Sequence, residues 1–119
     1  MHILLIDDEA DFLELMKSRL EKRGFSVLCA DSGERGLEIV TEEIDVAIVD
    51  VKMPGMDGLA TLEELRKLFP NLPVLVLSGH ADTQMAVTCI ERGAADYLLK
   101  PVSINDLIGS LRSLVEKHV

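Results

Sequence analysis

The chain has no excess of basic residues, no long apolar run and few cysteines, the features typical of nucleic-acid-binding, membrane and secreted proteins respectively. Its 119 residues carry 12 lysines and arginines against 21 aspartates and glutamates, a formal net charge of −9. So acidic a surface repels nucleic-acid phosphates and anionic lipid, and we expect direct binding to neither. No apolar run approaches the roughly 20 residues that a helix needs to cross a bilayer. The first residues do not have the pattern of a signal peptide either.

Cysteine is scarce as well. Cys29 falls on a predicted strand and Cys89 on a predicted helix, far apart in the chain. Two such cysteines without an export signal are typical of reduced, buried thiols, and they favour a cytoplasmic location. Hydrophobic residues make up 48% of the chain, which predicts one packed domain over residues 1–119 rather than disorder.

Short apolar runs alternate with helical patterns along the whole chain, as is typical of βαβ units. The predicted strands lie near His2–Ile6, Ser26–Ala30, Val46–Val49, Val74–Leu77 and Tyr97–Leu99. Four of these runs are apolar at consecutive positions, which is expected of strands covered on both faces. The pattern therefore predicts an α/β fold, a doubly wound five-stranded parallel sheet with helices on both sides.

The helices have boundary signals of their own. Basic residues followed by glycine in Lys22-Arg23-Gly24 predict the end of the first helix, and Asp31 is the predicted N-cap of the second. The third helix is predicted near Gly58–Leu68, and Ser103 is the predicted cap of the fifth. The fourth, near Thr83–Glu91, offers little large apolar surface, so we expect it to be held less firmly than its neighbours.

Polar residues suited to phosphoryl chemistry follow four of the predicted strands. These strand ends lead into Asp7-Asp8, Asp50, Ser78 and Lys100-Pro101. Ligands of open parallel α/β sheets bind outside the carboxyl ends of the strands, so these side chains should share one crevice. Each signal alone is weak, because an aspartate after a strand is more often a cap or a turn residue. Their joint placement is the specific feature.

Three carboxylates in one crevice repel each other, by about 4 kcal/mol for a pair roughly 4 Å apart at an effective dielectric near 20. Either one protonates or a divalent cation bridges them, and Mg²⁺ is the expected cation. Asp50 can then act as a nucleophile that forms an aspartyl phosphate, with Lys100 and Ser78 contacting the phosphoryl oxygens. Glu9 and Asp11 are expected to favour the positive end of the first helix, although Glu9 can add negative charge near a cation.

Taken together, the motifs resemble the receiver domain of two-component response regulators. The matching segments are Asp7-Asp8, Val49-Asp50, Met53–Gly58, Leu77–Gly79 and Lys100-Pro101. The resemblance covers essentially the whole chain. It implies a flavodoxin-like fold with five helices and strand order 2-1-3-4-5, forming a single receiver domain over residues 1–119.

The resemblance also implies the roles of the acidic residues. Asp50 would be the phosphoacceptor, Asp8 a direct Mg²⁺ ligand and Asp7 a ligand through water. The main-chain carbonyl of Lys52 would complete the protein ligands. Lys52 and His80 occupy positions that flank the hydrolytic water in similar proteins, so both are candidates for tuning the lifetime of the phosphoryl group.

The remaining implied roles concern the switch and the phosphate. Ser78 would be the switch hydroxyl, where similar proteins more often have threonine, and Tyr97 the switch aromatic. From periodicity alone, the favoured interpretation of Tyr97 is a half-buried strand aromatic, and its placement three residues before Lys100 is what supports the switch role. Lys100 would be the phosphate-binding cation, and the Lys100-Pro101 peptide bond is expected to be cis by the same resemblance.

The implied function is that of a signalling module, and we expect no enzymatic activity beyond its own phosphorylation and dephosphorylation. A sensor histidine kinase or phosphotransfer protein would donate the phosphoryl group. Phosphorylation would then shift the population towards a different surface on helix four, strand five and helix five. That surface would control an output domain or partner protein, with transcription regulation and a phosphorylation-dependent dimer left open.

Two other functions use a similar set of residues. A phosphohydrolase of the haloacid dehalogenase type also has an aspartate nucleophile, but it needs a second aspartate where this chain has Lys52, and it carries a cap insertion. A pseudo-receiver would act as an interaction module without being phosphorylated. The presence of the acidic pair, the acceptor aspartate and the lysine argues against the pseudo-receiver.

Overall fold

The structure, a computed structural model, describes residues 1–51, 57–79 and 83–117. Within these ranges five strands and five helices alternate. The strands are β1 (His2–Ile6), β2 (Ser26–Ala30), β3 (Val46–Asp50), β4 (Val74–Ser78) and β5 (Asp96–Leu99). The helices are α1 (Ala10–Glu21), α2 (Gly33–Ile39), α3 (Gly58–Leu68), α4 (Thr83–Glu91) and α5 (Ile104–Lys117).

The strands form one parallel sheet in the order β2-β1-β3-β4-β5. The predicted doubly wound α/β fold and its strand order are confirmed. Every residue of β3 and β4 is buried, whereas the edge strands β2 and β5 are only partly covered. Asp50 and Ser78 are the last paired residues of β3 and β4. The sequence predicted that these strands end one residue earlier, at Val49 and Leu77.

Each face of the sheet carries its own hydrophobic cluster. On β1, Ile3 and Leu5 join the cluster that includes residues of α1 and α5. Leu4 and Ile6 join the cluster on the other face, which includes residues of α3 and α4. Successive side chains of a strand point to opposite faces, so one apolar run supplies both cores and the strands need no polar face.

The helix boundaries follow the sequence signals with one correction. Gly24, after α1, has a φ of 92°, a backbone conformation that favours glycine. The prediction that Asp31 caps α2 was wrong by one residue, because Ser32 directly precedes the first helical residue. The Ser32 side chain accepts a hydrogen bond from the Arg35 N–H at 3.1 Å. Both residue types are good N-caps, and sequence alone did not separate them.

Two further expectations concern the cysteines and the membrane. Both thiols are free, with Cys89 buried and Cys29 half-buried. Burial raises the pKa of each thiol, which reduces its reactivity as a thiolate. Among the described residues, the helices are all too short or too polar to span a membrane.

Candidate functional site

Four of the predicted site residues, Asp7, Asp50, Ser78 and Lys100, meet at the carboxyl end of the sheet. Asp50 ends β3, Ser78 ends β4 and Asp7 follows β1, and all three residues are buried, at 6%, 1% and 1% exposure. The Lys100 N–H donates to the Ser78 carbonyl at 2.7 Å, which brings the residue after β5 to the end of β4. Parallel pairing therefore places Asp50, Ser78 and Lys100 side by side.

The Lys100 ammonium lies among the carboxylates. Nζ donates to Asp7 Oδ2 at 2.6 Å and to Glu9 Oε1 at 3.3 Å, and it lies 3.8 Å from Asp50 Oδ2. Burial lowers the pKa of Lys100, but the hydrogen bond and charge of Asp7, the charge of Asp50 and the hydrogen bond of Glu9 outweigh it. The net pKa is raised, so the ammonium stays charged at neutral pH.

Four carboxylates form a compact acidic group around that ammonium. One oxygen from each of Asp7, Asp8, Glu9 and Asp50 lies within 4.8 Å of the others. The group thus brings four carboxyl groups together around a single ammonium. Carboxylate oxygens are the hard ligands that Mg²⁺ and Ca²⁺ prefer. The donor set therefore fits a divalent cation of this kind.

Asp7 is held in place through both its backbone and its side chain. Its N–H donates to the Ala30 carbonyl of β2 at 3.1 Å, and its Oδ1 accepts the Glu9 N–H at 2.9 Å. Asp8, in contrast, is exposed. The side chains of the acidic pair therefore lie in different environments, one held by the sheet and one open to solvent.

Glu9 belongs to the group although sequence reasoning treated it mainly as a partner of the helix. It is the N-cap residue of α1, but its side chain makes no cap hydrogen bond and instead accepts from Lys100. Its position directly after Asp7-Asp8 was the one sequence signal for this role. Competition with the helix end, which usually attracts acidic side chains, obscured that signal.

The start of α3 packs directly on the backbone of Asp50 and Val51. The Gly58 N–H donates to the Val51 carbonyl at 3.1 Å, and Asp57 Oδ1 accepts the Ala60 N–H at 2.8 Å. A Cβ on Gly58 would collide with the Asp50 carbonyl oxygen and the Val51 Cα. Only glycine permits this close approach, which fixes the position of Asp50.

Of two aromatic side chains, Phe12 contacts Lys100 and Tyr97 lies on β5. Tyr97 on β5 is half-buried and packs against the cluster on the α3 and α4 face. Phe12, in the first turn of α1, has its ring centroid 4.2 Å from Lys100 Nζ. Sequence reasoning singled out Tyr97 and missed the Phe12 contact, since a phenylalanine at an apolar helix position gives no sign of a lysine partner.

Some predicted site residues lie outside the described ranges. Lys52 and His80 are among them, so the Lys52 carbonyl ligand and the tuning of hydrolysis by these two residues stay predictions. The Lys100-Pro101 peptide bond is cis.

Comparisons with known proteins agree with this geometry. The family model of the response regulator receiver domain matches residues 3–112. The transcriptional regulatory protein ZraR of Escherichia coli O157:H7 is 36% identical over 119 residues, which cover 98% of this chain and 27% of ZraR. The chain thus spans about a quarter of that relative's length.

Solved structures show the same similarity. A response regulator receiver domain protein from Clostridium thermocellum matches with a TM-score of 0.92 and 40% identity, covering 98% of this chain and 94% of that one. A response regulator from Burkholderia pseudomallei, with a phosphorylated aspartic acid, a calcium ion and citrate, matches with a TM-score of 0.88 and 29% identity, covering 98% and 69%. The chain belongs to the family of response regulator receiver domains, the signalling modules of two-component systems.

Proposed function

We propose that this receiver domain takes a phosphoryl group onto Asp50 in a magnesium-dependent reaction. The observation that carries the proposal is the arrangement around Lys100, whose ammonium lies within 4 Å of carboxylate oxygens of Asp7, Glu9 and Asp50. A phosphoryl group on Asp50 would meet that ammonium directly. Such an arrangement of charge around a buried carboxylate is what phosphoryl transfer requires.

The reaction itself is a displacement at phosphorus. A carboxylate oxygen of Asp50 attacks, a new O–P bond forms, and the bond to the donor breaks as the leaving group departs with its electron pair. Lys100 donates to one phosphoryl oxygen, and the Ser78 hydroxyl, at the end of the neighbouring strand, donates to another. The fixed backbone of Asp50 keeps the attacking oxygen in place.

Asp7, Asp8 and Asp50, with the Lys52 carbonyl, would hold the Mg²⁺ ion. Glu9 adds a further negative charge at the same place. When bound, Mg²⁺ would supply positive charge that offsets the carboxylates and the phosphoryl oxygens. The phosphorylated aspartic acid and calcium ion of the similar Burkholderia response regulator support this assignment.

The proposed donor is a phosphohistidine on a sensor histidine kinase or a phosphotransfer protein. Ser78 would respond by bonding to the new phosphoryl oxygen, and Tyr97 and the surface of α4, β5 and α5 would follow as a population shift. That surface would act on an output domain or a partner protein. Similarity to a transcriptional regulatory protein favours transcription regulation as the output. The acidic domain described above is not expected to bind DNA directly in that role.

The family assignment leaves one competing function. A haloacid dehalogenase activity has no support from it, whereas an unphosphorylated pseudo-receiver would share the same fold. The buried Asp50, its lysine and the acidic group favour the phosphorylated receiver, because an interaction module has no need to hold these charges together.

Intact mass after incubation with acetyl phosphate tests the proposal. We expect the gain of one phosphoryl group with Mg²⁺ and none with EDTA, and no gain in Asp50→Asn. Asp45→Asn is the matched control: Asp45 precedes β3 at its other end and accepts a hydrogen bond from the His2 N–H. This variant should be phosphorylated as the wild type is.

Two results would overturn the proposal. One is an undiminished gain in Asp50→Asn, which would place the phosphoryl group elsewhere. The other is no gain from either acetyl phosphate or a panel of phosphorylated histidine kinases, which would favour the pseudo-receiver.

A further inference from the structure

We propose that Phe12 is a positioning residue, whose ring face holds the Lys100 ammonium in place beside Asp50. The ring centroid lies 4.2 Å from Nζ, well inside the roughly 6 Å over which a cation is attracted to an aromatic face. The significance of this contact for phosphoryl transfer rests on the proposed function, but the contact itself can be tested without it.

The surroundings of Nζ define what the ring contributes. An ammonium has three N–H groups, and two of them reach Asp7 Oδ2 and Glu9 Oε1. Asp50 Oδ2, at 3.8 Å, is beyond hydrogen-bond range and attracts by charge alone. The Lys100 side chain is only 14% exposed, so little water competes with the ring.

The ring is needed because the carboxylates that contact Lys100 can also bind a divalent cation. Asp7, Glu9 and Asp50 belong to the acidic group that fits a divalent cation. A cation held there shares their oxygens and weakens their attraction for the ammonium. An aromatic face is not a ligand that Mg²⁺ takes, so Phe12 keeps its hold on Lys100 whether or not the carboxylates are occupied.

Phe12 is itself well anchored for this role. It lies in the first turn of α1 and is partly buried against the cluster on the α1 and α5 face. An ordinary core function would be served equally by leucine, which fills much of the same volume without a π face. The comparison of leucine with tyrosine at this position therefore separates positioning from packing.

Proton and carbon NMR of protein labelled with ¹³C at the lysine Cε positions tests the contact directly. The Lys100 signal is assigned by its loss in Lys100→Met. A ring face over Nζ should move the Lys100 Hε signals upfield in the wild type and in Phe12→Tyr, but not in Phe12→Leu. Phe69→Leu removes a ring near the other end of the sheet and should leave the Lys100 signals unchanged.

The wild type and Phe12→Tyr should retain the contact during a Mg²⁺ titration. We expect the upfield shift to persist at saturating Mg²⁺ in the wild type. Lys100 signals that are alike in the wild type and in Phe12→Leu, or a shift that disappears with Mg²⁺, would overturn the inference. These readouts do not depend on phosphorylation, so they decide the matter even if Asp50 takes no phosphoryl group.

The consequence for transfer is a change in rate at saturating donor. Phe12→Leu should slow phosphorylation by acetyl phosphate roughly two- to thirty-fold, the range that a contact of this kind spans. Phe12→Tyr should keep most of the wild-type rate. A 3,4,5-trifluorophenylalanine at position 12 keeps the shape of the ring but weakens its π face, so it should be as slow as Phe12→Leu. Equal rates in all the variants would show that Phe12 only packs, whereas a wild type that takes no phosphoryl group would count against the proposed function instead.

Discussion

The helices that follow Asp50 and Ser78 are held to the sheet very differently. In α3, the buried residues are Gly58, Thr61, Leu62 and Leu65. In α4, only Cys89 is buried; Met85 is partly buried against the core, and Val87 and Ile90 are 45% and 49% exposed. Asp50 therefore precedes a firmly packed helix, and Ser78 precedes a loosely packed one.

This difference would suit the two tasks of the proposed phosphorylated switch. Transfer to Asp50 would need a fixed nucleophile, and the close approach of Gly58 to the Asp50 backbone would keep it fixed. A change of surface needs an element with little stabilisation to overcome, and α4 has few buried apolar contacts. The comparison predicts that substitutions in α3 affect the whole fold and that those in α4 remain local.

The largest expected contrast is between truncations of the two helices. Leu62→Ala removes a side chain with 0% exposure and should lower the free energy of unfolding by about 3–4 kcal/mol, through lost burial and a new cavity. Ile90→Ala, on the exposed side of α4, should lower it by less than about 1 kcal/mol. Urea unfolding of both variants measures the difference, and similar losses would mean that α4 is packed as firmly as α3.

A smaller loss of stability is expected at the contact between α3 and β3, the strand that ends in Asp50. Gly58→Ala places a Cβ against the Asp50 backbone, and it should cost about 2–3 kcal/mol because that backbone must shift. Gly109→Ala is the matched control, since a Cβ there meets no described atom within 4 Å. In a helix interior that change should stabilise by up to about 1 kcal/mol.

Urea unfolding and phosphorylation by acetyl phosphate check both glycine variants. Gly58→Ala should also slow transfer, because the shift moves Asp50, whereas Gly109→Ala should not. A Gly58→Ala protein with wild-type stability and wild-type transfer would contradict the idea that α3 fixes the acceptor.

The smallest effect concerns the ion pair that joins the two helices. Arg92, just after α4, pairs with Glu63 of α3 at 2.6 Å, whereas Glu64 pairs with Lys67 inside α3 at 3.2 Å. The pairs are solvent-accessible, so Glu63→Gln and Glu64→Gln should each cost less than about 1 kcal/mol. Hydrogen exchange should rise in α4 only in Glu63→Gln. An equal rise in both variants would mean that the inter-helix pair does not restrain α4.

Much of this comparison was predictable from local sequence. The apolar runs gave the strands, and the polar residues at their ends gave Asp7, Asp50, Ser78 and Lys100 as neighbours, because parallel strands end at one edge. The sparse apolar pattern of Thr83–Glu91 also anticipated the exposure of α4. Apolar periodicity and the residues at strand ends are local features, and here the tertiary structure agrees with what they predict.

The parts that sequence missed depend on tertiary contacts. Glu9 and Lys100 are 91 residues apart, and the pattern around Glu9 equally suited a residue at a helix end. Phe12 fits the apolar spacing of α1, so its contact with Lys100 carries no local signature. Contacts between side chains of different elements depend on the direction and length of those side chains. The spacing of residues along the sequence does not determine either contact.

Borohydride reduction of the phosphorylated protein, followed by peptide mass mapping, tests the central claim most directly. Hydride reduces an aspartyl phosphate to homoserine, so the modified residue is recorded as a stable change of mass. We predict homoserine at position 50, in samples that contained both phosphodonor and Mg²⁺. Homoserine at Asp7 or Asp8 instead, or a phosphorylated protein that yields none, would contradict the assignment of Asp50 as the phosphoacceptor.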